Sequence, residues 1–421
     1  MSPAGPPPDD RAAGQPEKVI PRKRGTDCQK NRALLRAGLS GREAEPGDSV
    51  VIPGSSPASQ RLPHLFRRWP RLRERLPWTP LGCFPTPVEP LEGVGERLGH
   101  PHLYVKRDDV SGEVYGGNKV RKLEFTLAAA KAAGSDVVVT FGAAGSNHVL
   151  ATTVYGRRLG LRTVAVLVDQ PPQAYVRRNL LADQAQGTEF LPAAGSAGAA
   201  LRGVLAWLRE RATGARPLLL PPGGSSVVGT LGWVEAALEL EQQVEEGLLP
   251  PPELVFVPAG TCGTMAGLVA GLRLTRLPTR VLGVRVYGRS GANPTVVRHL
   301  ANGALSLLHR LDPSVPVRPV TDRDFTLRDD WFGPGYAHFT PAGDEAVRLA
   351  RELAGLTLEG TYSGKAFAAF LELMAEPCRR HRPALFVATH NARPLGPLLR
   401  GRSTGAPGPA ALPKELVRYF G

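Results

Sequence analysis

From Leu81 onward one pattern repeats: a short apolar run, a glycine-rich turn, then a stretch with helical spacing. The runs are Leu103–Val105, Val137–Phe141, Thr163–Val168, Leu254–Pro258, Val281–Val286 and Ala384–Ala388. Each is short and apolar throughout, as a strand buried on both faces must be. Between them Lys122–Ala133, Asn147–Leu159, Trp233–Glu246 and Thr264–Leu274 read as helices. Strands separated by helices pair in parallel, because each crossover returns the chain to the same end of the sheet. The expected class is therefore α/β, with mainly parallel sheets flanked by helices. In such sheets ligands gather at the carboxyl ends of the strands.

The flanks differ in kind. Residues 1–60 are rich in Pro, Gly, Ala and charge, with no apolar periodicity, and are expected to be disordered. Residues 61–80 read as a short basic amphipathic segment, and the tail from 396 to 421 as peripheral. The opening Met-Ser-Pro-Ala-Gly-Pro-Pro-Pro-Asp-Asp lacks a basic stretch followed by an apolar one, so export is not expected. No apolar run approaches the ~18 residues that span a bilayer. Cys28, Cys83, Cys262 and Cys378 lie far apart with no CxxC pair, which argues against a disulfide framework and for a reducing, cytoplasmic location. His148, His338 and His390 are equally scattered, with no carboxylate at ligand spacing, so no metal is expected.

The net charge of +14 does not describe a nucleic-acid binder. Residues 1–80 hold 15 Lys+Arg and 8 Asp+Glu, half of the whole excess, and the remainder is spread thinly without interleaved aromatics. Lysine usage carries more. Only nine of the 52 basic residues are Lys, yet Lys106, Lys119, Lys122 and Lys131 fall within 26 residues. A lysine can lose its proton when desolvated and an arginine cannot, so the cluster points to a needed amine.

Five segments carry possible chemistry. In the first, a strand ends at Arg107-Asp-Asp, and two glycines precede Asn118 and Lys119 at a helix start. A helix N-terminus disfavours the ammonium form and welcomes phosphate, which suits an amine that reacts with a carbonyl. A solvated lysine is the plain alternative. In the second, Val137–Phe141 runs through Gly142-Ala-Ala-Gly145 into Ser146, Asn147 and His148, a polar cluster or simply a helix cap. In the third, Gly260-Thr261-Cys262-Gly263-Thr264 follows a buried strand and offers backbone N–H groups and hydroxyls to a phosphate, if it is more than a generic turn. The fourth comprises Gly333-Pro-Gly-Tyr336-Ala-His338 and Glu359-Gly-Thr-Tyr362-Ser363-Gly-Lys365. The fifth is the strand running into Thr389-His390-Asn391.

Taken in order, these segments resemble the D-cysteine desulfhydrase / 1-aminocyclopropane-1-carboxylate (ACC) deaminase family. Its members are pyridoxal 5′-phosphate enzymes of fold type II, the tryptophan-synthase-β-like class. The resemblance runs from about Pro85 to Pro394. It rests on Gly-Gly-Asn-Lys-x-Arg-Lys-Leu-Glu, Ser-Asn-His, Gly-Thr-x-Gly-Thr-x-Ala-Gly, Gly-Pro-Gly-Tyr and Tyr-x-Gly-Lys-Ala. It implies a two-domain architecture: 61–121 with 229–395 as the large cofactor domain, and 122–228 as a small inserted α/β domain. It also implies that Lys119 carries the cofactor and moves the proton at the substrate Cα. Asn147 matches the partner of the cofactor's phenolic oxygen, and Ser146, with His148 beside it, a hydroxyl at the substrate carboxylate or at a carbon that exchanges a proton. Gly260, Thr261, Cys262, Gly263, Thr264 and Lys122 would hold the phosphate. Tyr336 and Tyr362 would face the substrate.

The position after the second tyrosine discriminates within the family. ACC deaminases carry Glu there, near the pyridine nitrogen, whereas desulfhydrase-like members carry a hydroxyl, paired with a Thr from the last strand. Here the two are Ser363 and Thr389. A hydroxyl makes a weaker electron sink, better suited to expelling a thiol than to opening a cyclopropane. The resemblance thus implies a carbon–sulfur lyase turning D-cysteine, or a related β-substituted D-amino acid, into pyruvate, sulfide and ammonia in a homodimer. The alternatives are an ACC deaminase or other β-substituted amino-acid lyase, and a catalytically degenerate cofactor-binding paralogue. Four departures bear on them: Cys262 for a usual Gly, Ala337-His338-Phe339 for Gly, aliphatic and Pro, Thr361 for Val, and His390-Asn391 for Gly-Gly. A non-glycine residue at Cys262 is strained if that position requires positive φ.

Overall fold

A computed structural model describes residues 61–400 and 408–421, so the expectation for residues 1–60 lies outside the described part. The strands are β1 Val88–Pro90, β2 Leu103–Lys106, β3 Val137–Ala143, β4 Arg162–Val168, β5 Glu189–Ala193, β6 Pro217–Leu220, β7 Leu254–Ala259, β8 Arg280–Arg285, β9 Phe325–Arg328 and β10 Ala384–Val387. They form a six-stranded sheet in the order β1-β2-β10-β7-β8-β9 and a four-stranded sheet in the order β5-β4-β3-β6. Every pairing is parallel except β1 with β2. All six runs singled out in the sequence are strands. The additional β1, β5, β6 and β9 are short or proline-bearing edge strands, whose sequences carry too little apolar repetition to stand out.

Strand alternation builds two cores on the larger sheet. Val255, Val257, Leu385 and Val387 face one layer, while Phe256, Ala384 and Phe386 face the other. The first layer is closed by helices Val227–Glu245, Gly263–Leu272 and Pro294–Leu311, and the second by Pro341–Ala354 and Ser363–Met374. Residues 61–80 form two short helices, His64–Arg68 and Leu72–Arg75, that bury Leu65, Phe66, Trp69 and Leu72 in the first core. On the smaller sheet Val137, Val139, Val164 and Val166 pack on helix Gly195–Ala212. Its other face meets helices Lys119–Ala132, Asn147–Arg158 and Ala174–Ala185. Residues 408–421 lie against this half, with Leu412, Leu416 and Tyr419 buried beside Val176 and Leu180.

Beneath the helix that begins at Lys119 lies a buried charge network. Arg121 donates to Asp108 (2.7 Å) and with two nitrogens to Glu239 (2.8 and 2.9 Å), and Lys106 Nζ donates to Glu239 (2.6 Å). All four side chains are essentially fully buried. The attraction of Arg121 and Lys106 outweighs burial and holds the Glu239 carboxyl well below its ordinary range. The network joins the loop after β2, this helix and Val227–Glu245, and so fixes Lys119 from two residues away.

Candidate active site

A cavity of about 620 Å³ opens where the two sheets face each other, at the carboxyl ends of β3, β7 and β10. Lys119 stands on its wall. Gly116 and Gly117 bring the chain there: Gly117 has φ +91°, and a Cβ at that position would sit 2.8 Å from the Thr389 carbonyl. The Asn118 N–H donates to that same carbonyl (3.0 Å), tying the helix start to the end of β10. Among the described residues no hydrogen bond or carboxylate reaches the Lys119 amine. Burial alone lowers its pKa from 10.5 to about 8.

A cradle of donors lies beside it. Lys122 Nζ donates to the Gly223 carbonyl (3.0 Å) and to Ser225 Oγ (3.1 Å), and Ser225 Oγ is 2.7 Å from Thr261 Oγ1. The Gly263 N–H, at the first turn of its helix, also points to Ser225 Oγ (3.2 Å). A Cβ on Gly263 would meet Ser225 Oγ at 2.5 Å and Lys122 Nζ at 2.8 Å, so only glycine leaves the space open. Asn118 Nδ2 donates to Thr264 Oγ1 (2.9 Å) at the edge of the cradle. Burial, reinforced by the neighbouring Lys119, holds the Lys122 amine well below its usual pKa. Cys262 adopts φ +59° and Ala337 φ +61°, so two departures noted in the sequence occupy the left-handed region that favours glycine. Ser225 and Gly223 were not singled out in the sequence, although Pro221-Pro-Gly-Gly-Ser-Ser226 has the same turn-before-helix composition as the loop at 260–264.

Opposite, Ser146 caps its helix, its Oγ accepting from the Val149 N–H (3.3 Å), and it lines the cavity as well. The capping reading is realised, and the same residue also borders the cavity. Asn147 lines the cavity with its Oδ1 held by Asn179 Nδ2 (3.0 Å) and the Tyr115 hydroxyl (3.3 Å). His148 is built into the wall, its ring nitrogens engaged by Thr140 (3.1 Å) and Thr152 (3.5 Å), and burial keeps it neutral. Tyr336 and Tyr362 meet hydroxyl to hydroxyl at 2.5 Å, with Tyr287 edge-on to Tyr336. Buried Lys365 donates to the Phe332 carbonyl (2.6 Å) and so anchors the loop that carries Tyr336.

The cavity wall thus gathers Lys119, Lys122, Ser146, Asn147, His148, Gly260, Thr261, Cys262, Gly263, Thr264, Tyr336, Tyr362 and Thr389. It does not include Ser363. That hydroxyl is buried at the first turn of its helix, accepting from the Glu359 N–H (2.9 Å) and donating to the Glu359 carboxylate (3.2 Å). Glu359 lines the cavity instead, its carboxylate capping the N–H groups of Thr361, Tyr362 and Ser363 at 2.8, 2.8 and 2.9 Å. His390 joins Thr389 on the wall, and its Nδ1 is buried with no hydrogen-bond partner among the described residues.

These residues fit pyridoxal phosphate. An unpaired amine of lowered pKa, a cradle that a single Cβ would fill and an orphaned buried ring nitrogen are what an aldehyde, a phosphate and a polar aromatic ring require of their site. The described part of the chain holds no helix long and apolar enough to cross a membrane.

Comparison with known proteins agrees. The sequence family described as pyridoxal-phosphate dependent enzyme matches residues 80–389. The D-cysteine desulfhydrase of Salmonella paratyphi B is 36% identical over 345 residues, covering 79% of this chain and 97% of the relative, and that of Salmonella typhi is equally similar. Among solved structures an ACC deaminase homologue aligns with TM-score 0.67 and 30% identity over 79% of this chain and 96% of its own. A processed threonine deaminase isoform from Solanum lycopersicum, 17% identical with TM-score 0.51 over 79% and 88%, shares the fold. The chain belongs to the pyridoxal-phosphate-dependent enzymes of fold type II, in the family of the D-cysteine desulfhydrases and ACC deaminases.

Proposed function

We propose that this enzyme eliminates the β-substituent of a small D-amino acid, with D-cysteine as substrate, giving pyruvate, hydrogen sulfide and ammonia with uptake of one water. The observation that carries the reading is the pairing of an unpartnered, low-pKa Lys119 with a phosphate-sized cradle a few residues away. Bound pyridoxal phosphate supplies the electron sink. Lys119 holds the cofactor, then takes the proton from the substrate Cα. The loop at 261–264 with Lys122 and Ser225 grips the phosphate, and Asn147 orients the ring through its phenolic oxygen. Ser146 binds the substrate carboxylate at the head of its helix, where the N–H groups favour an anion. Tyr336 and Tyr362, sharing one short hydrogen bond, face the departing sulfur.

Elimination is favoured over ring opening by what stands near Thr389. The carboxylate of Glu359 is already engaged by three backbone N–H groups and Ser363. The other polar groups there are a hydroxyl and His390, which burial keeps neutral. None offers a free anion to a ring nitrogen, so the electron sink is modest, enough for a thiol leaving group. The test is an assay of D-cysteine, L-cysteine and ACC with the purified holoenzyme. Pyruvate and sulfide in equal amounts from D-cysteine, without 2-oxobutanoate from ACC, is the expected outcome. Turnover of ACC, or none of D-cysteine, overturns the reading.

The same proposal extends to residues 122–228 as a mobile small domain closing on 61–121 and 229–395, to a homodimer and to a cytoplasmic location. Cys262 and Cys378, which form no disulfide among the described residues, support the last, and light scattering of the purified protein tests the dimer.

A further inference from the structure

Thr361 and Tyr175 meet beside the cavity, each next to residues of its wall. Thr361 immediately precedes Tyr362 on the six-stranded side, and Tyr175 opens helix Ala174–Ala185 on the four-stranded side; their hydroxyls are 3.2 Å apart. We propose that this pair is a latch between the two halves beside the cavity, anchored by the C-terminal segment through Tyr419, and that it positions the Gly145–Asn147 loop over the substrate. The proposal rests on the reading that this loop holds the substrate carboxylate.

The bonds have one direction. The Gly145 N–H donates to Gln170 Oε1 (2.9 Å), which orients the amide so that its Nε2 donates to the Tyr175 oxygen (2.7 Å). The Tyr175 hydrogen is then free to turn to Thr361. Asn179 grips the same loop from the other side, donating to the Gly145 carbonyl (2.9 Å) and to Asn147 Oδ1 (3.0 Å). The backbone of Gln170 is in turn fixed by the C-terminal segment. Its N–H donates to the Tyr419 oxygen (3.0 Å), and the Tyr419 hydroxyl donates to the carboxylate of Asp169, a residue of the cavity wall. Arg418 pairs with Asp169, and Arg177 donates to the Gly421 carbonyl (3.0 Å). Tyr419 therefore connects through Gln170 and Tyr175 to the residue beside Tyr362. The family resemblance leads one to expect valine at 361. Threonine has the same shape and adds the one hydroxyl that completes the connection. A substrate entering the cleft meets a loop already held in place, and the latch limits water access once it is bound.

The test uses the holoenzyme with Thr361→Val and Tyr419→Phe, which keep the packing, and Thr361→Ser, which gives up one methyl but keeps the hydroxyl. Two quantities are read: amide hydrogen exchange of residues 142–149 without substrate, and KM and kcat for D-cysteine. Loss of one neutral hydrogen bond raises exchange in this segment and KM by roughly fivefold, with kcat little changed. Thr361→Ser behaves as wild type, because the hydroxyl and not the methyl makes the link. Unchanged exchange in Thr361→Val, or a Ser variant no better than the Val variant, overturns the latch. Absence of turnover with D-cysteine in the wild type itself sinks the proposed substrate, while the exchange measurement still decides the latch.

Discussion

Lys119 carries the sharpest quantitative expectation. Burial without a carboxylate partner brings its amine from 10.5 to about 8. At pH 7 roughly one amine in ten is then neutral, against roughly one in three thousand for a lysine in water, about a 300-fold gain in nucleophile. Protein stripped of cofactor with hydroxylamine and mixed with excess pyridoxal phosphate between pH 6 and 10 reads this directly, as the rate at which the visible band of the bound cofactor appears. Only the neutral amine attacks the aldehyde. The rate should climb about tenfold per pH unit below about 8 and level off above it, and Lys119→Arg should give no band. The same shift appears as stability. Because the folded value lies below the unfolded one, the folded chain binds fewer protons between about 8 and 10.5, so the stability of the cofactor-free protein rises with pH across that window. Below it, burying the cation costs about 3 kcal/mol. Lys119→Met removes the cost, so the cofactor-free variant unfolds later than wild type at pH 7, and the gap closes by about pH 10.5. A capture rate that keeps climbing through pH 10, or a Met variant no more stable at pH 7, refutes the reasoning.

Three other perturbations follow from the geometry. Gly263→Ala pushes a methyl against Ser225 and Lys122, and should weaken pyridoxal phosphate binding at least tenfold, read by equilibrium dialysis, with little change in thermal stability of the cofactor-free protein. Glu239→Gln leaves Arg121 and Lys106 buried without their shared counter-charge and should cost about 3 kcal/mol, seen as a lower urea midpoint. Ser363→Ala removes a hydroxyl spent on the Glu359 cap and not on the cavity wall. It should lower stability by about 1 kcal/mol and leave the absorption maximum of the bound cofactor in place. A shifted maximum would return Ser363 to the ring nitrogen.

The parallel α/β class and the six central strands were legible because a strand buried on both faces has to be apolar along its length, and that composition survives without knowledge of its neighbours. Lys119, Ser146, Asn147 and the loop at 260–264 were legible for a related reason: each sits where a strand passes through glycine into a helix, a local arrangement that a sequence writes out in order. The resemblance also flagged Cys262 and Ala337 as side chains standing where the family has glycine, and both adopt positive φ. What the sequence left open are relations between segments far apart in the chain. Ser225 enters the cradle through its contact with Thr261 and Lys122. The Ser363 hydroxyl turns away from the cavity because Glu359, four residues earlier, claims it. His390 lines the cavity while its buried Nδ1 finds no partner among the described residues, and Tyr419 reaches Gln170 across 249 residues of chain. Hydrogen-bond direction and burial are properties of the packed state, so only the tertiary structure decided which of the polar residues at the strand ends face a ligand and which are spent holding the others in place.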